Sequence, residues 1–65
     1  MFTIKEASAR TGVSAALLRA WERRYHVVAP RRTESGYRLY DEAAIAALSA
    51  MRRLVDEGWS PAAAA

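Results

Sequence analysis

The sequence predicts a mainly α-helical domain with one small β-hairpin, arranged as a winged helix-turn-helix. Three features of the 65-residue chain predict it. Two helical segments are separated by a three-residue turn that contains glycine, which is the helix-turn-helix outline. A basic stretch with a glycine turn follows as a hairpin, or wing, and a longer amphipathic segment then supplies a third helix. A chain of this length is one small domain or a piece of something larger.

The first helix is predicted over residues 4–11. Residues 3–6, Thr-Ile-Lys-Glu, have the form of a capping box, in which Thr3 and Glu6 each satisfy an N–H group at the helix end. Gly12 suits the position just after the helix, and Val13 is expected to plug the turn with an apolar side chain.

The second helix is predicted over residues 15–25, with Ser14 as its N-cap. Leu18, Trp21 and Tyr25 form its buried stripe, flanked by Leu17. The opposite face carries Ala15, Ala16, Arg19, Ala20 and Arg23. Small side chains allow a helix to approach the floor of a major groove while arginines reach phosphates. Helix propensity alone would also explain the alanines, but the preceding turn favours the groove.

The wing is predicted over residues 31–40, since Pro30 prevents a helix there. Glu-Ser-Gly supplies its turn, with Gly36 able to adopt a positive φ. Strand alternation places Tyr37 with Leu39 and Arg38 with Tyr40, although the twist of a hairpin leaves the facing of Tyr37 open.

The third helix is predicted over residues 42–57, capped by Asp41 and ended by Gly58. Its core stripe is Ile45, Leu48, Met51 and Val55, with Ala44 and Leu54 beside it. Ser-Pro at residues 60–61 predicts another helix start, over residues 61–65. One turn is not stable alone, so we expect the chain to be a piece of a longer protein whose effector domain is absent.

Composition argues against an enzyme. Of 34 hydrophobic residues 15 are Ala, which leaves too little bulk to enclose a substrate cavity. The absence of Cys excludes disulfide and thiolate chemistry. The single His26 cannot build a His-based zinc site or a Ser-His-Asp arrangement. We therefore expect no catalytic, metal-binding or cofactor-binding residues in this chain. Neither a run near 18 apolar residues nor a signal peptide is present, so a cytoplasmic protein is expected.

Positive charge is concentrated in one segment. Residues 19–38 carry a net charge of +4, whereas the rest of the chain carries −1. Trp21, Tyr25 and Tyr37 are interleaved with these arginines, and Tyr40 follows. Clustered arginine with aromatic residues is typical of a surface that tracks phosphates. A solvated basic face with structural aromatics would look the same by charge alone.

The motifs together resemble the DNA-binding domain of the MerR family of bacterial transcription regulators, over residues 2 to about 62. The matching motifs are Thr-Ile-Lys-Glu, Thr-Gly-Val-Ser, Leu-Arg-Ala-Trp-Glu-Arg-Arg-Tyr and Arg-Arg-Thr-Glu-Ser-Gly-Tyr-Arg-Leu-Tyr. The third motif, together with Glu-Gly-Trp-Ser at residues 57–60, is most similar to the branch with a C-terminal cobalamin-binding domain, the light-sensing repressors of the CarH/LitR type.

The resemblance implies that the second helix enters the major groove and that the wing contacts the backbone or the adjacent minor groove. The DNA-binding residues it and the sequence pattern indicate are Thr3, Ser14, Ala15, Ala16, Arg19, Arg23, Arg32, Tyr37 and Arg38. Trp21 and Tyr40 are expected to support the core. Two positions depart from the family pattern. His26 replaces the usual Gly, and Ala20 replaces a frequent Tyr whose DNA contact is therefore lost.

The resemblance further implies that the intact protein is a homo-oligomer that binds a palindromic promoter operator and acts on RNA polymerase indirectly. Oligomerisation and effector binding, with adenosylcobalamin as a candidate cofactor, belong to C-terminal segments outside this chain. The isolated domain is expected to be monomeric.

Two other functions remain open from the sequence. One is an architectural DNA-bending protein of the excisionase kind, which the truncated helix at residues 60–61 disfavours. The other is a protein-interaction winged helix with an acidic partner, which the small face at Ala15 and Ala16 disfavours because it lacks bulky anchors.

Overall fold

A computed structural model describes residues 1–28 and 30–64 of the chain. Its elements are α1 (Ile4–Thr11), α2 (Ala15–Tyr25), β1 (Arg31–Arg32), β2 (Arg38–Leu39), α3 (Glu42–Asp56) and α4 (Pro61–Ala64). The mainly helical winged fold predicted from the sequence is confirmed. Helix α3 ends one residue before the expected position, and Ala65, the expected end of the last helix, lies outside the described residues.

The predicted capping box of α1 is present. The Oγ1 atom of Thr3 accepts the Glu6 N–H at 3.2 Å, and the Thr3 N–H donates to the Glu6 carboxylate at 3.0 Å. Gly12 ends the helix in the left-handed conformation, with φ of 75°, and its N–H donates to the Ser8 carbonyl. This glycine turns the chain sharply enough for α2 to begin at Ala15.

A single core joins the three long helices. Leu18 and Trp21 of α2 are buried, as the helical pattern predicts, and Tyr25 is partly buried. The other buried apolar residues are Ala7, Val13, Tyr40, Ala44, Ile45, Leu48 and Met51. One expectation is wrong: Leu17, predicted to flank the buried stripe, is 42% exposed. Successive helical residues turn by about 100°, which carries Leu17 away from Leu18 and into solvent.

The hairpin is shorter than the predicted wing. Arg31 pairs with Leu39 and Arg32 with Arg38 in antiparallel register. Tyr40 leaves this pairing and forms a bridge with Phe2, with N–H···O distances of 2.7 and 2.8 Å in the two directions. The end of the wing is thereby joined to the start of the chain.

The last two helices begin at the predicted caps. Asp41 accepts the Ala44 N–H at 2.7 Å, and Ser60 accepts the Ala63 N–H at 3.2 Å. Within the described ranges no helix is long and apolar enough to cross a membrane.

Tyr40 provides a test of the core. Its side chain is 1% exposed, and its hydroxyl has no hydrogen-bond partner among the described residues. Burial, with the negative charge of Glu22, raises the pKa of this phenol above 10.0. We expect Tyr40→Phe to leave the free energy of unfolding unchanged or to raise it by about 1 kcal/mol, because an uncompensated hydroxyl is removed.

Tyr40→Ala should instead cost about 3–5 kcal/mol, comparable to the whole stability of a domain this small. Urea and thermal unfolding measure both variants. A Tyr40→Phe variant destabilised by more than about 1 kcal/mol would contradict an unpaired hydroxyl.

Glu6 provides a pH-dependent test of the α1 cap. The hydrogen bond from the Thr3 backbone lowers the pKa of Glu6 below 4.5. A carboxylate whose pKa is lower in the folded state stabilises the fold above its unfolded pKa and loses that effect as pH falls through the folded value. We therefore expect wild type to melt above Glu6→Gln at neutral pH, with the difference shrinking below pH 4.5. A difference in melting temperature that does not change with pH would refute this role.

Candidate nucleic-acid interface

Helix α2 presents small side chains at its start. The Oγ atom of Ser14 accepts the Leu17 N–H at 3.1 Å, so it is occupied by the cap, while Ala15 is half-buried and Ala16 exposed. At about 1.5 Å per residue, the 11 residues of α2 extend somewhat beyond the roughly 12 Å width of a major groove. No bulky side chain from these alanines would hold the helix away from base edges.

The other end of α2 forms a basic groove with the wing. This arginine groove has a volume of about 320 Å³ and is lined by Arg19, Glu22, Arg23, His26, Arg32 and Arg38. Residues predicted separately, from the helix face and from the wing, are therefore brought together in space. Four guanidinium groups and one carboxylate give the groove a formal charge of +3, which attracts a polyanion.

Glu22 links the two sides of the arginine groove. Its Oε2 atom accepts the Arg38 Nε–H at 2.7 Å, and its Oε1 atom lies 3.8 Å from Nη2 of Arg32. The Glu22 side chain is 21% exposed. The ion pair with Arg38 is thus short and partly shielded from water, whereas the approach of Arg32 is longer and more solvated.

Arg38 keeps most of its donors despite this ion pair. Its side chain is 25% exposed, and within the described part of the chain only its Nε–H is hydrogen-bonded. Both Nη groups therefore remain for a second anion. An arginine held along one edge can still present a planar pair of donors to phosphate.

The wing holds its own side chains through the turn. Arg32 donates from Nη1 to the Gly36 carbonyl at 3.2 Å, and the Tyr37 N–H donates to Thr33 Oγ1 at 3.1 Å. Tyr37 is 71% exposed. Its side chain therefore lies in solvent and not in the core.

Thr3 lies apart from the arginine groove. Its hydroxyl oxygen accepts the Glu6 N–H, its own N–H donates to the Glu6 carboxylate, and the neighbouring Phe2 pairs with Tyr40. The start of α1 is therefore beside the base of the wing. The Glu6 carboxylate already supplies a negative charge at this helix end, where a phosphate would otherwise bind.

The sequence patterns did not indicate that Glu22 and His26 line the groove. Glu22 follows Arg19 by three residues and precedes His26 by four, so the helical repeat places all three on neighbouring rows. The spacing of these three residues along the helix is the sequence feature that indicates that they lie near one another. The pairing of Glu22 with Arg38, 16 residues away, has no local signal.

His26 ends α2 in the left-handed conformation. Its φ and ψ are 51° and 40°, and its N–H donates to the Glu22 carbonyl at 3.1 Å. The expectation that the turn survives replacement of the usual glycine is confirmed. The residues described contain no cluster of three or more His, Cys, Asp or Glu that would hold a metal ion.

Comparison with known proteins agrees with a regulator domain. A model of the family described as MerR HTH family regulatory protein matches residues 2–65. The transcriptional repressor CarH of Myxococcus xanthus is 49% identical over 57 residues, which are 88% of this chain and 19% of that protein. The transcriptional regulator MlrA of Escherichia coli K12 is 36% identical over 58 residues, 89% of this chain and 24% of that protein. The transcriptional repressor CarA of Myxococcus xanthus is 40% identical over 55 residues, 83% of this chain and 19% of that protein.

Proposed function

This chain belongs to the MerR HTH family of regulatory proteins, and from that membership we propose that it reads a palindromic promoter operator for a transcription repressor. The observation that carries the proposal is the arginine groove, in which Arg19 and Arg23 of the recognition helix meet Arg32 and Arg38 of the wing. Small residues at the start of the same helix leave room for base edges.

In the proposed complex α2 enters the major groove with Ser14, Ala15 and Ala16 leading. Arg19 contacts a phosphate or a base edge near the wall of the major groove, and Arg23 lies one helical turn further along. The exposed positions of Ala16, Arg19 and Arg23 support this orientation.

The wing contacts the backbone or the neighbouring minor groove. Arg32 and Arg38 line the arginine groove and supply phosphate donors, whereas Tyr37 is exposed and does not line it. Thr3, at the start of α1 beside the wing, is proposed as a weaker phosphate contact, because only N–H groups not used by the capping box remain there.

The proposed parent protein is a light-responsive repressor that uses adenosylcobalamin. Similarity to the CarH repressor supports the branch. The chain spans less than a quarter of CarH, MlrA or CarA. Cofactor binding, oligomerisation and the indirect effect on RNA polymerase are proposed for other segments of the whole protein, and no residue of this chain is assigned to the cofactor.

Binding to DNA tests the proposal directly. An operator is selected with this domain from random duplexes, and fluorescence anisotropy then compares it with a scrambled duplex at low and moderate salt. We expect a preference for the selected operator and an affinity that falls steeply with salt, because phosphate contacts release counterions. Equal binding to both duplexes would favour an architectural DNA-bending role, and no binding at low salt would favour a protein partner.

Arg19→Ala tests sequence reading. We expect it to remove about 1–3 kcal/mol of discrimination between operator and scrambled duplex. Arg24→Ala is the matched control, since Arg24 is an exposed arginine on the same helix that does not line the groove. Operator affinity equal to wild type in Arg19→Ala would contradict the assignment.

Arg38→Ala tests the wing contact. We expect it to weaken binding to all sequences by a similar factor and to reduce the salt slope by about one. Arg31→Ala, an exposed arginine of β1 outside the groove, is the control. An unchanged salt slope in Arg38→Ala would place this side chain away from phosphate.

A further inference from the structure

An acidic side chain is unexpected within a surface that binds a polyanion. Glu22 is the only acidic residue among those lining the arginine groove. Its charge repels phosphate, so by charge alone its removal would be expected to strengthen DNA binding. The contacts of Glu22 indicate the opposite.

We propose that Glu22 is a positioning residue that aims the wing arginines at the DNA backbone, so that removing its negative charge weakens binding. This inference rests on the proposed DNA-binding function. It assigns Glu22 no contact with DNA, and the effect passes through Arg38 and, less strongly, through Arg32.

The bond to Arg38 fixes the plane of its guanidinium. The Glu22 carboxylate takes the Nε–H at 2.7 Å, which is a short, charge-assisted hydrogen bond. The Nη groups make no hydrogen bond within the described residues and remain as a planar pair of donors whose orientation the Nε–H bond holds. An arginine ordered before binding loses less conformational entropy when it meets a phosphate.

The second carboxylate oxygen reaches the other strand. Oε1 lies 3.8 Å from Arg32 Nη2, and the same guanidinium donates from Nη1 to the Gly36 carbonyl. Glu22 therefore attracts an arginine from each strand of the hairpin. Because Glu22 belongs to the rigid recognition helix, it sets the position of the wing relative to the part of the domain that reads bases.

Glu34 supplies a matched comparison. It lies exposed in the turn of the same wing and forms no ion pair in the described portion of the chain. Removing the charge of Glu34 or of Glu22 changes the net charge of the domain by the same amount. Of these two glutamates, only Glu22 is hydrogen-bonded to an arginine of the groove within the described residues.

The experiment measures binding of Glu22→Gln and Glu34→Gln to the selected operator over a range of salt concentrations. We expect Glu34→Gln to bind as tightly as wild type or slightly more tightly. Glu22→Gln should bind about tenfold more weakly, in the range found for coupled pairs, with a salt slope smaller by about one. Glu22→Gln binding as tightly as Glu34→Gln would overturn the proposal.

Two further measurements separate positioning from loss of folding. Circular dichroism and the melting temperature establish that each variant is folded at the assay temperature, and Glu22→Asp keeps the charge if Glu22→Gln does not fold. The double variant Glu22→Gln/Arg38→Ala should bind no more weakly than Arg38→Ala alone, because Glu22 acts mainly through that side chain. Additive losses in the double variant would contradict this route.

Binding by wild type distinguishes failure of the proposed function from failure of the role proposed for Glu22. If wild type does not prefer the selected operator, the proposed function fails. If wild type prefers it and Glu22→Gln does so equally well, only the positioning role of Glu22 fails.

Discussion

The burial of Tyr40 is the constraint on which the geometry of the wing depends. Tyr40 is 1% exposed and exchanges two backbone hydrogen bonds with Phe2, so the end of the hairpin is held against the core. Side chains two residues apart on a strand share a face. Since Tyr40 points inward, Arg38 is directed to the same side, toward α2, where it meets Glu22 at 2.7 Å. The burial of Tyr40 thus helps to place Arg38 in the arginine groove.

In this 65-residue domain, helix α2 both contributes to the core and presents a basic face. Leu18 and Trp21 contribute to the core, while Arg19 and Arg23 remain exposed on the other side. A domain of this size buries a modest fraction of its surface, so few large apolar side chains can be left for an interface. The groove between α2 and the wing is instead lined by four arginines, a histidine and one glutamate, and its positive charge suits a phosphate-binding surface.

This chain belongs to the MerR HTH family of regulatory proteins. Its similarity to CarH, MlrA and CarA extends over more than four-fifths of the chain. The chain spans less than a quarter of any of these three proteins. Within this domain, the ion pair between Glu22 and Arg38 joins the wing to α2.

Local chemistry determined the helices and their ends from the sequence alone. Thr3, Ser14 and Asp41 are N-caps because a short side-chain oxygen satisfies a helix-end N–H without help from distant residues. The same holds for the buried stripe of α2 and for its basic face, which follow from the helical repeat. Only the tertiary structure decided that Tyr40 pairs with Phe2 and that Glu22 binds Arg38. These contacts join residues far apart in the chain, and their formation depends on how the elements pack, which no local pattern records.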